Sequence, residues 1–573
     1  MDKQIRRRQQ PSDIGFGEDL HPILRHIYAS RGITKQEQLD QALTVMLAPK
    51  QLLGIEQAAD ILIAAIDNKQ RIIIVGDFDA DGATSTALMM QGLGLLGSAN
   101  HDFIVPNRFE YGYGLTPEIS DLAKQAGADV IVTVDNGISC YEGVERAKQH
   151  GCTVVITDHH LPGAKLPPAD AIVNPNQKGC NFASKALAGV GVAFYLMLMM
   201  RQRMRETDYF AEHNLSEPNL AVLLDLVALG TVADVVSLDQ NNRILVAQGL
   251  KRIRAGATRP GIEALIEVAG KNQQKLHASD FGFGLGPRLN AAGRLDDMSL
   301  GIKCLLADDM YQARVIAAQL DDLNKERRQI EQGMQIEAEQ ILQKLNFAQD
   351  NLPGALALYQ DDWHQGVIGI VAGRIKEKYH RPTVVFAQGD EGTIKGSARS
   401  IPGLHIRDLL EYMDSQHPGL IAKFGGHAMA AGLTIGEQDF IRFQQLFSQY
   451  AAEKLSDDLL QGVVLSDGEL PSSYLNLNFA ELLKQAGPWG QNFPEPVFDN
   501  TFTVVQQRIV GDKHLKLVVQ LGDLVIDAIA FNVDLSQWPN HQCQSLHMAY
   551  KLDINEFRGR QTVQLMVEHL QAL

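Results

Sequence analysis

The sequence predicts a multidomain α/β protein: a doubly wound parallel sheet, a long connecting helix, a second α/β domain and a carboxyl-terminal β-barrel of the OB type. Three observations carry this. Short β-branched runs alternate with helical stretches from residue 71 to 175, the pattern of parallel strands joined by right-handed crossovers. Across 309–346 the aliphatic residues Ile316, Leu320, Leu323, Ile330, Met334, Ile341 and Leu345 recur at three, four or seven, as on one long helix. From 497 onward apolar and polar residues alternate between turn signals such as GDK and GD, as five or six short strands closing a barrel would. At 573 residues there is room for three or four domains, with expected boundaries 1–50 (a small helical segment), 51–308, 309–346, 347–455 and 456–573.

The first strand, 71 to 77, runs into GDFDADG. Asp77, Asp79 and Asp81 stand at i, i+2 and i+4, so in an extended chain they project to one side, where like charges repel unless a cation sits among them. A calcium-binding EF-hand loop is a poor fit: the twelfth position is Leu88 where a bidentate Glu belongs, and a strand precedes instead of a helix. A phosphatase with an aspartyl nucleophile leaves the charged residues downstream unexplained.

The next strands are DFIVPNR (102–108), DVIVTVDNG (129–137), CTVVITDHH (152–160) and AIVNP (171–175), with a helix expected from about Thr116. Open α/β sheets bind ligands beyond the carboxyl ends of their strands. Those ends carry Asp77, Asp79 and Asp81, then Arg108, Asp135, and Asp158 with His159 and His160. One Asp at a strand end is usually a cap. Four successive charged ends point to a site.

Residues 189–200, GVGVAFYLMLMM, are too short to span a bilayer and read as a buried helix. The stretch 218–238 reads as an apolar helix broken near Gly230, with Asp234 in apolar surroundings, where a buried carboxylate needs a partner and a metal is the expected one. FGFGLGPRLNAAGRL (281–295) lacks the strand and spacing of a dinucleotide fingerprint, which excludes a Rossmann cofactor. The second α/β domain contains IKGSARS (394–400) and AKFGGHAMAAG (422–432). For the barrel, a structural role and a single-strand-binding role stand level.

Composition narrows the class. A formal charge of −16 argues against a basic coat for non-specific DNA binding, but not against a local basic groove. Five scattered Cys without a CxxC indicate free thiols in a reducing compartment. The start MDKQIRRRQQ lacks the apolar core of a signal peptide, so a soluble, cytoplasmic protein with no membrane segment is expected; a monomer is the working expectation, with no sequence feature behind it.

GDFDADG, VPNR, TVDNGIS, TDHH, the Asp234 helix and the distant GGHAMAAG, in this order, resemble the DHH phosphoesterase superfamily with its DHH-associated domain. Order and length, including the OB-like end, are similar to the bacterial single-strand-specific exonucleases of that superfamily. The resemblance implies a metal-dependent 5′-to-3′ exonuclease of repair and recombination that releases 5′-mononucleotides from single-stranded DNA through a two-metal, activated-water mechanism. It implies Asp77, Asp79, Asp81, Asp135, His159 and Asp234 as the metal set, with Asp135 bridging two ions and Asp77 either a direct or an outer ligand. The mixed His and carboxylate donors suit Mn²⁺ or Mg²⁺, imidazole favouring Mn²⁺. Asp81 and Asp135 join His160 as catalytic candidates, His160 donating to the scissile phosphate or else orienting His159. Arg108, Arg288, Asn290, Ser397, Arg399, Gly426 and His427 are the substrate-binding candidates, suited to capturing a terminal phosphate. Implied partners are a single-stranded-DNA-binding protein and a RecQ-type helicase. Two alternatives remain: a phosphodiesterase of short oligonucleotides or cyclic dinucleotides, and a non-catalytic scaffold that binds single-stranded DNA.

Overall fold

The computed structural model describes residues 3–9, 15–107, 110–344, 352–390 and 392–573. It divides into two units, one of Gln10–Asn324 and Glu481–Glu495, the other of Met1–Gln9, Lys325–Ala480 and Pro496–Leu573. The amino-terminal segment is not purely helical: it opens with a strand, β1 (Gln4–Arg7), which belongs to the second unit.

In the first unit, Ile72-Ile73-Ile74-Val75 are all buried, which four consecutive β-branched residues achieve only in a strand covered on both faces. This strand, β2 (Ile72–Val75), is joined by β3 (His101–Ile104), β4 (Val130–Val134), β5 (Thr153–Thr157) and β6 (Ala171–Val173). All pairs are parallel, in the order β3-β2-β4-β5-β6. The order reverses between β2 and β4, so the crevice at their carboxyl ends is the topological switch point where ligands bind. The helix Pro117–Gln125 begins at the Thr116 cap, as expected from the sequence.

Helices Ala80–Leu95 and Gly189–Glu206 are buried over most of their residues, as central helices are. Helix Leu224–Ala233 runs unbroken through Gly230, contrary to the expected break. A Cβ at Gly230 would lie 2.2 Å from Thr84 Oγ1 and 2.9 Å from Asp81 Oδ1, so this glycine serves close packing inside the helix. Residues 481–495 return to this unit, where the rings of Tyr28, Trp489 and Phe493 are mutual neighbours (Tyr28–Trp489 6.1 Å, Trp489–Phe493 5.2 Å, Tyr28–Phe493 6.2 Å), and Arg243 covers Phe493 at 4.4 Å.

The long helix is Met310–Lys344. Its buried seam is Ala313, Ala317, Leu320, Asn324, Arg327, Glu331, Met334, Ala338 and Leu342, while Ile316, Leu323, Ile330 and Ile341 sit half-buried beside it. Leu345 of the expected stripe lies outside the described residues.

The second unit carries a mixed sheet of β7 (Leu356–Tyr359), β8 (Thr383–Gln388), β9 (Thr393–Arg399), β10 (Lys423–Gly426) and β11 (Ala430–Gly436), in the order β10-β11-β9-β8-β7. Phe386, Phe443 and Phe447 fill its core. A short strand, β12 (Val463–Ser466), pairs in parallel with β1. The last five strands, β13 (Phe498–Val510), β14 (His514–Leu521), β15 (Leu524–Ala530), β16 (Ser545–Phe557) and β17 (Arg560–Ala572), close a barrel in the order β13-β14-β15-β17-β16. A bulge between Val504 and Gln506 bends β13, which pairs with β16 over one half and β14 over the other. No helix among the described residues is long and apolar enough to cross a membrane, and all five cysteines are free thiols.

Candidate metal centre

β2 stops at Val75, so the three acids do not alternate along a strand as expected. The chain runs on through Gly76 and Asp77 and bends at Phe78 and Asp79, and Asp79 caps the helix Ala80–Leu95, its Oδ1 accepting from Asp81 N (2.9 Å) and Gly82 N (3.0 Å). Asp81 lies in the first helical turn, where the positive end of the helix dipole favours an acid. Convergence survives by another route. Asp77 and Asp79 offer oxygens within 4.8 Å of one another and of Asp135, and Asp81 does the same with His159 and Asp234.

Asp81 is fully buried and held by a second helix: its oxygens accept from Gly189 N (2.6 Å) and Val190 N (3.0 Å) at the start of Gly189–Glu206. Asp135 follows β4 with φ at 61°, a left-handed turn that aims its carboxylate across the switch point. Gly189 makes room for it, because a Cβ there would lie 2.6 Å from Asp135 Cβ. His159 Nε2 sits 3.1 Å from Asp135 Oδ1 and 3.5 Å from Asp234 Oδ2. Both of those oxygens are buried without a hydrogen-bond partner. Asp234 also terminates the helix Leu224–Ala233, at the end where the dipole disfavours a carboxylate.

With no cation among them, burial and the neighbouring Asp79 push Asp81 up to about 7. Burial and the repulsion of Asp81 and Asp79 push Asp135 and Asp234 well above the ordinary carboxylate range. Orphaned buried oxygens, a carboxylate at a helix carboxyl end and mutual repulsion are all relieved by divalent ions, and an oxygen-rich set with one or two imidazoles fits Mn²⁺ or Mg²⁺. A third group, Asp135, His159 and His160, overlaps the other two.

His160 is set by a residue the sequence placed only at a strand end. Asp158 Oδ1 accepts from His159 N (2.7 Å), His160 N (3.1 Å) and His160 Nδ1 (2.7 Å), and Oδ2 accepts from Ile138 N (2.9 Å). Burial alone would raise the Asp158 carboxyl, but the hydrogen bond and charge of His160 hold it below its ordinary value. Burial likewise works against the imidazolium of His160, yet Asp158, Asp77 and Asp79 prevail and raise it to about 9. With Nδ1–H on Asp158, the remaining donor is Nε2–H.

Further residues around the centre escape sequence reading. Tyr113 donates to Asp135 O (3.0 Å), and its ring meets Phe78 and His160 edge-on, each at 5.9 Å. Asn174 and Asn176 donate to the carbonyls of His160 (2.9 Å) and His159 (2.6 Å). The Asn-Pro-Asn after β6 was the only local signal for these three, and it reads equally well as a turn. Asn136, which lies in the TVDNGIS motif that the sequence does single out, ties the ends of β2 and β4 through Nδ2, donating to Val75 O and Val134 O.

The substrate-binding candidates divide. Arg108 lies outside the described residues. Arg288 is buried, paired with Asp321 (2.8 Å) and donating to Gly284 O (2.7 Å) and Val268 O (3.2 Å). Asn290 Oδ1 accepts from Ala80 N (2.7 Å), bracing the helix that carries Asp81. In the second unit, Ser397 and Arg399 on β9 lie opposite Gly432 and Ala430, next to the Gly426–His427 turn. Arg399 Nη1 donates to Ser397 Oγ (3.0 Å), burial lowers its pKa, and no carboxylate pairs with it among the described residues. The helix Ile368–Tyr379 starts there too, and a Cβ on Gly369 would lie 2.8 Å from Arg399 Nη2. A guanidinium with no carboxylate partner among the described residues, a hydroxyl and a helix amino terminus are groups of the kind that hold anions.

A parallel sheet whose switch point gathers acids and histidines in this order defines the class of DHH phosphoesterases. Family models agree: the DHH family N-terminal domain matches residues 71–231, the DHHA1 domain 352–453 and the RecJ OB domain 466–569. The single-stranded-DNA-specific exonuclease RecJ of Escherichia coli is 56% identical over 569 residues, 99% of each chain. Its counterpart from Bacillus subtilis is 32% identical, over 99% of this chain and 70% of the relative. The crystal structure of RecJ in complex with Mn²⁺ from Thermus thermophilus superposes with a TM-score of 0.79 at 29% identity, covering 97% of this chain and 76% of that one. The chain belongs to the RecJ family of single-stranded-DNA-specific exonucleases.

Proposed function

We propose that the chain is a metal-dependent exonuclease that hydrolyses phosphodiester bonds of single-stranded DNA from the 5′ end and releases 5′-mononucleotides. The observation that carries the chemistry is a set of three partly buried groups, Asp77/Asp79/Asp135, Asp81/His159/Asp234 and Asp135/His159/His160, the third sharing members with each of the others. The first would hold one ion and the second another, with Asp135 and His159 linking them. Bound Mn²⁺ or Mg²⁺ would supply an activated water and positive charge on the phosphate oxygens.

The chain's own groups do the rest. Asp81, clamped by the Gly189 and Val190 amides, and Asp135, clamped by its backbone turn, keep the donor set preorganised. His160, held by Asp158, presents Nε2–H to a non-bridging oxygen as negative charge develops there. Arg288 and Asn290 serve as buttresses in this reading. Within the second unit, Arg399, Ser397 and the Gly426–His427 turn would receive the dianionic terminal phosphate. From the family resemblance we also infer work in repair and recombination, contact with a single-stranded-DNA-binding protein and a RecQ-type helicase, and a cytoplasmic monomer.

The test is a time course on a 3′-labelled single strand and a blunt duplex of the same sequence, each with Mn²⁺, Mg²⁺ or EDTA. The labelled single strand should shorten progressively from its 5′ end, with metal only and with the duplex spared. Intact DNA in every metal condition would overturn the reading.

A further inference from the structure

Next to the metal centre, on the same unit, two apolar side chains face solvent in conformations that folding alone would not favour. Phe283 is 83% exposed, although its neighbours in the segment, Phe281 and Leu285, are completely buried. It lies in a π-helical turn, Phe281–Leu285, and such turns interrupt the regular hydrogen-bond ladder and are frequent at functional sites. Val235, directly after Asp234, is 61% exposed and has φ at 63°, a left-handed backbone that is a real outlier for a β-branched residue.

The two features are parts of one rim. A Cβ on Gly282 would lie 3.7 Å from Val232 Cγ1, and one on Gly286 would lie 3.1 Å from Ala233 Cβ, so the π turn packs on the last turn of the helix that ends at Asp234. Lys271 lies alongside, its Cε 3.9 Å from a Cβ built on Gly284, and it bridges to Asp280 at 2.7 Å. An exposed aromatic, a strained aliphatic and a cation thus lie on two packed elements, one of which ends at a candidate metal ligand.

Resting on the exonuclease reading above, we propose that Phe283, on the π turn that packs against the helix ending at Asp234, is the platform on which a nucleobase of the substrate strand stacks, which positions the backbone at the metal centre. Every base has a π-face, so this contact holds any sequence, and it needs an unpaired base, so it acts against duplex. A second copy of the chain is the competing occupant, because exposed apolar surface also marks self-association.

The experiment uses the full Mn²⁺-loaded chain, wild type and Phe283→Ala, Phe283→Tyr and Phe283→Leu, on 5′-phosphorylated single strands with one abasic site walked through the first several nucleotides. Phe283→Ala should raise KM on the intact strand by about 5- to 100-fold, the range of base–aromatic stacking, with Tyr restoring it and Leu falling between. Its Mn²⁺ affinity and melting temperature should match the wild type. An abasic site at the stacked position should erase the difference between wild type and Phe283→Ala, which a merely structural role would not do. Quenching of 2-aminopurine at that position should require the aromatic ring.

Equal KM for the active wild type and Phe283→Ala would overturn the proposal. So would a difference that persists at every abasic position, or a native mass that falls from dimer to monomer in the variant. A wild type inert on single strands would instead overturn the exonuclease reading, and the 2-aminopurine signal would still decide the stacking.

Discussion

His160 and His159 are chain neighbours with rings 4.5 Å apart, yet their anchors assign them different work. His159 faces Asp135 and Asp234, whereas His160 hangs on Asp158 through Nδ1. His160→Ala should therefore lower kcat by about 10²- to 10³-fold, as loss of one preorganised donor does, while keeping Mn²⁺ affinity, and His159→Ala should lose both. Titration calorimetry with Mn²⁺ separates them, and an equal loss of affinity in the two variants would make His160 a ligand. The same crowding predicts a metal effect on stability: Mn²⁺ at 100 times its Kd should add about 2.7 kcal/mol, seen as a raised melting temperature that EDTA reverses. Asp77, Asp79, Asp81, Asp135, His159 and His160 could be singled out in the sequence because each follows a strand or begins a helix, and Asp234 because it is an acid in an apolar stretch. Asp158 showed only as a strand-end acid and Tyr113, Asn174 and Asn176 not at all, because what assigns their roles is a partner across the fold.

Elements show the same division between local pattern and tertiary choice. The long helix was predicted from its large aliphatics, of which Leu320 and Met334 do lie in the buried seam, but that seam also takes Ala313, Ala317 and Ala338, with Asn324, Arg327 and Glu331. Small residues allow close approach, so a reading by large side chains finds part of the seam and misses its alanines. In the first unit, helix Leu224–Ala233 carries the buried pair Asp225–Arg259 at 2.6 Å, with Gln91 and Thr258 completing its hydrogen bonds. Arg259→Ala would strand Asp225 in a site without water, and the expected cost is about 3–5 kcal/mol. Replacing both residues by apolar ones of similar volume should cost much less. Urea unfolding of the two variants checks this, and equal midpoints for single and double replacement would contradict it.

For the molecule as a whole, the sequence announced sheets and barrel but not which distant segments share a unit. Tyr28 meets Trp489, and β1 meets β12, across more than 450 residues, and no local periodicity encodes such pairings. In the second unit the amino terminus is fixed by charge as well as by its strand. Arg7 bonds the buried Asp499 through Nε (3.1 Å) and Nη2 (2.8 Å), and Ser466 and His547 add further donors. Burial would raise the Asp499 carboxyl, yet these bonds, Arg7 first, hold it below its ordinary value. A carboxylate depressed in the folded state stabilises fully above its unfolded value of about 4 and loses that contribution as pH falls through the lower folded value. Hydrogen exchange on β1, β12 and β13, corrected for intrinsic rates, should therefore hold steady from pH 6 to about 4 and weaken below it. Asp499→Asn should start less protected, by about 1–3 kcal/mol for the lost charged hydrogen bonds, and show a flatter acid limb. Parallel acid limbs in wild type and variant would mean that Asp499 does not couple this junction to pH, leaving the β1–β12 backbone pairing as the contact that fastens the amino terminus.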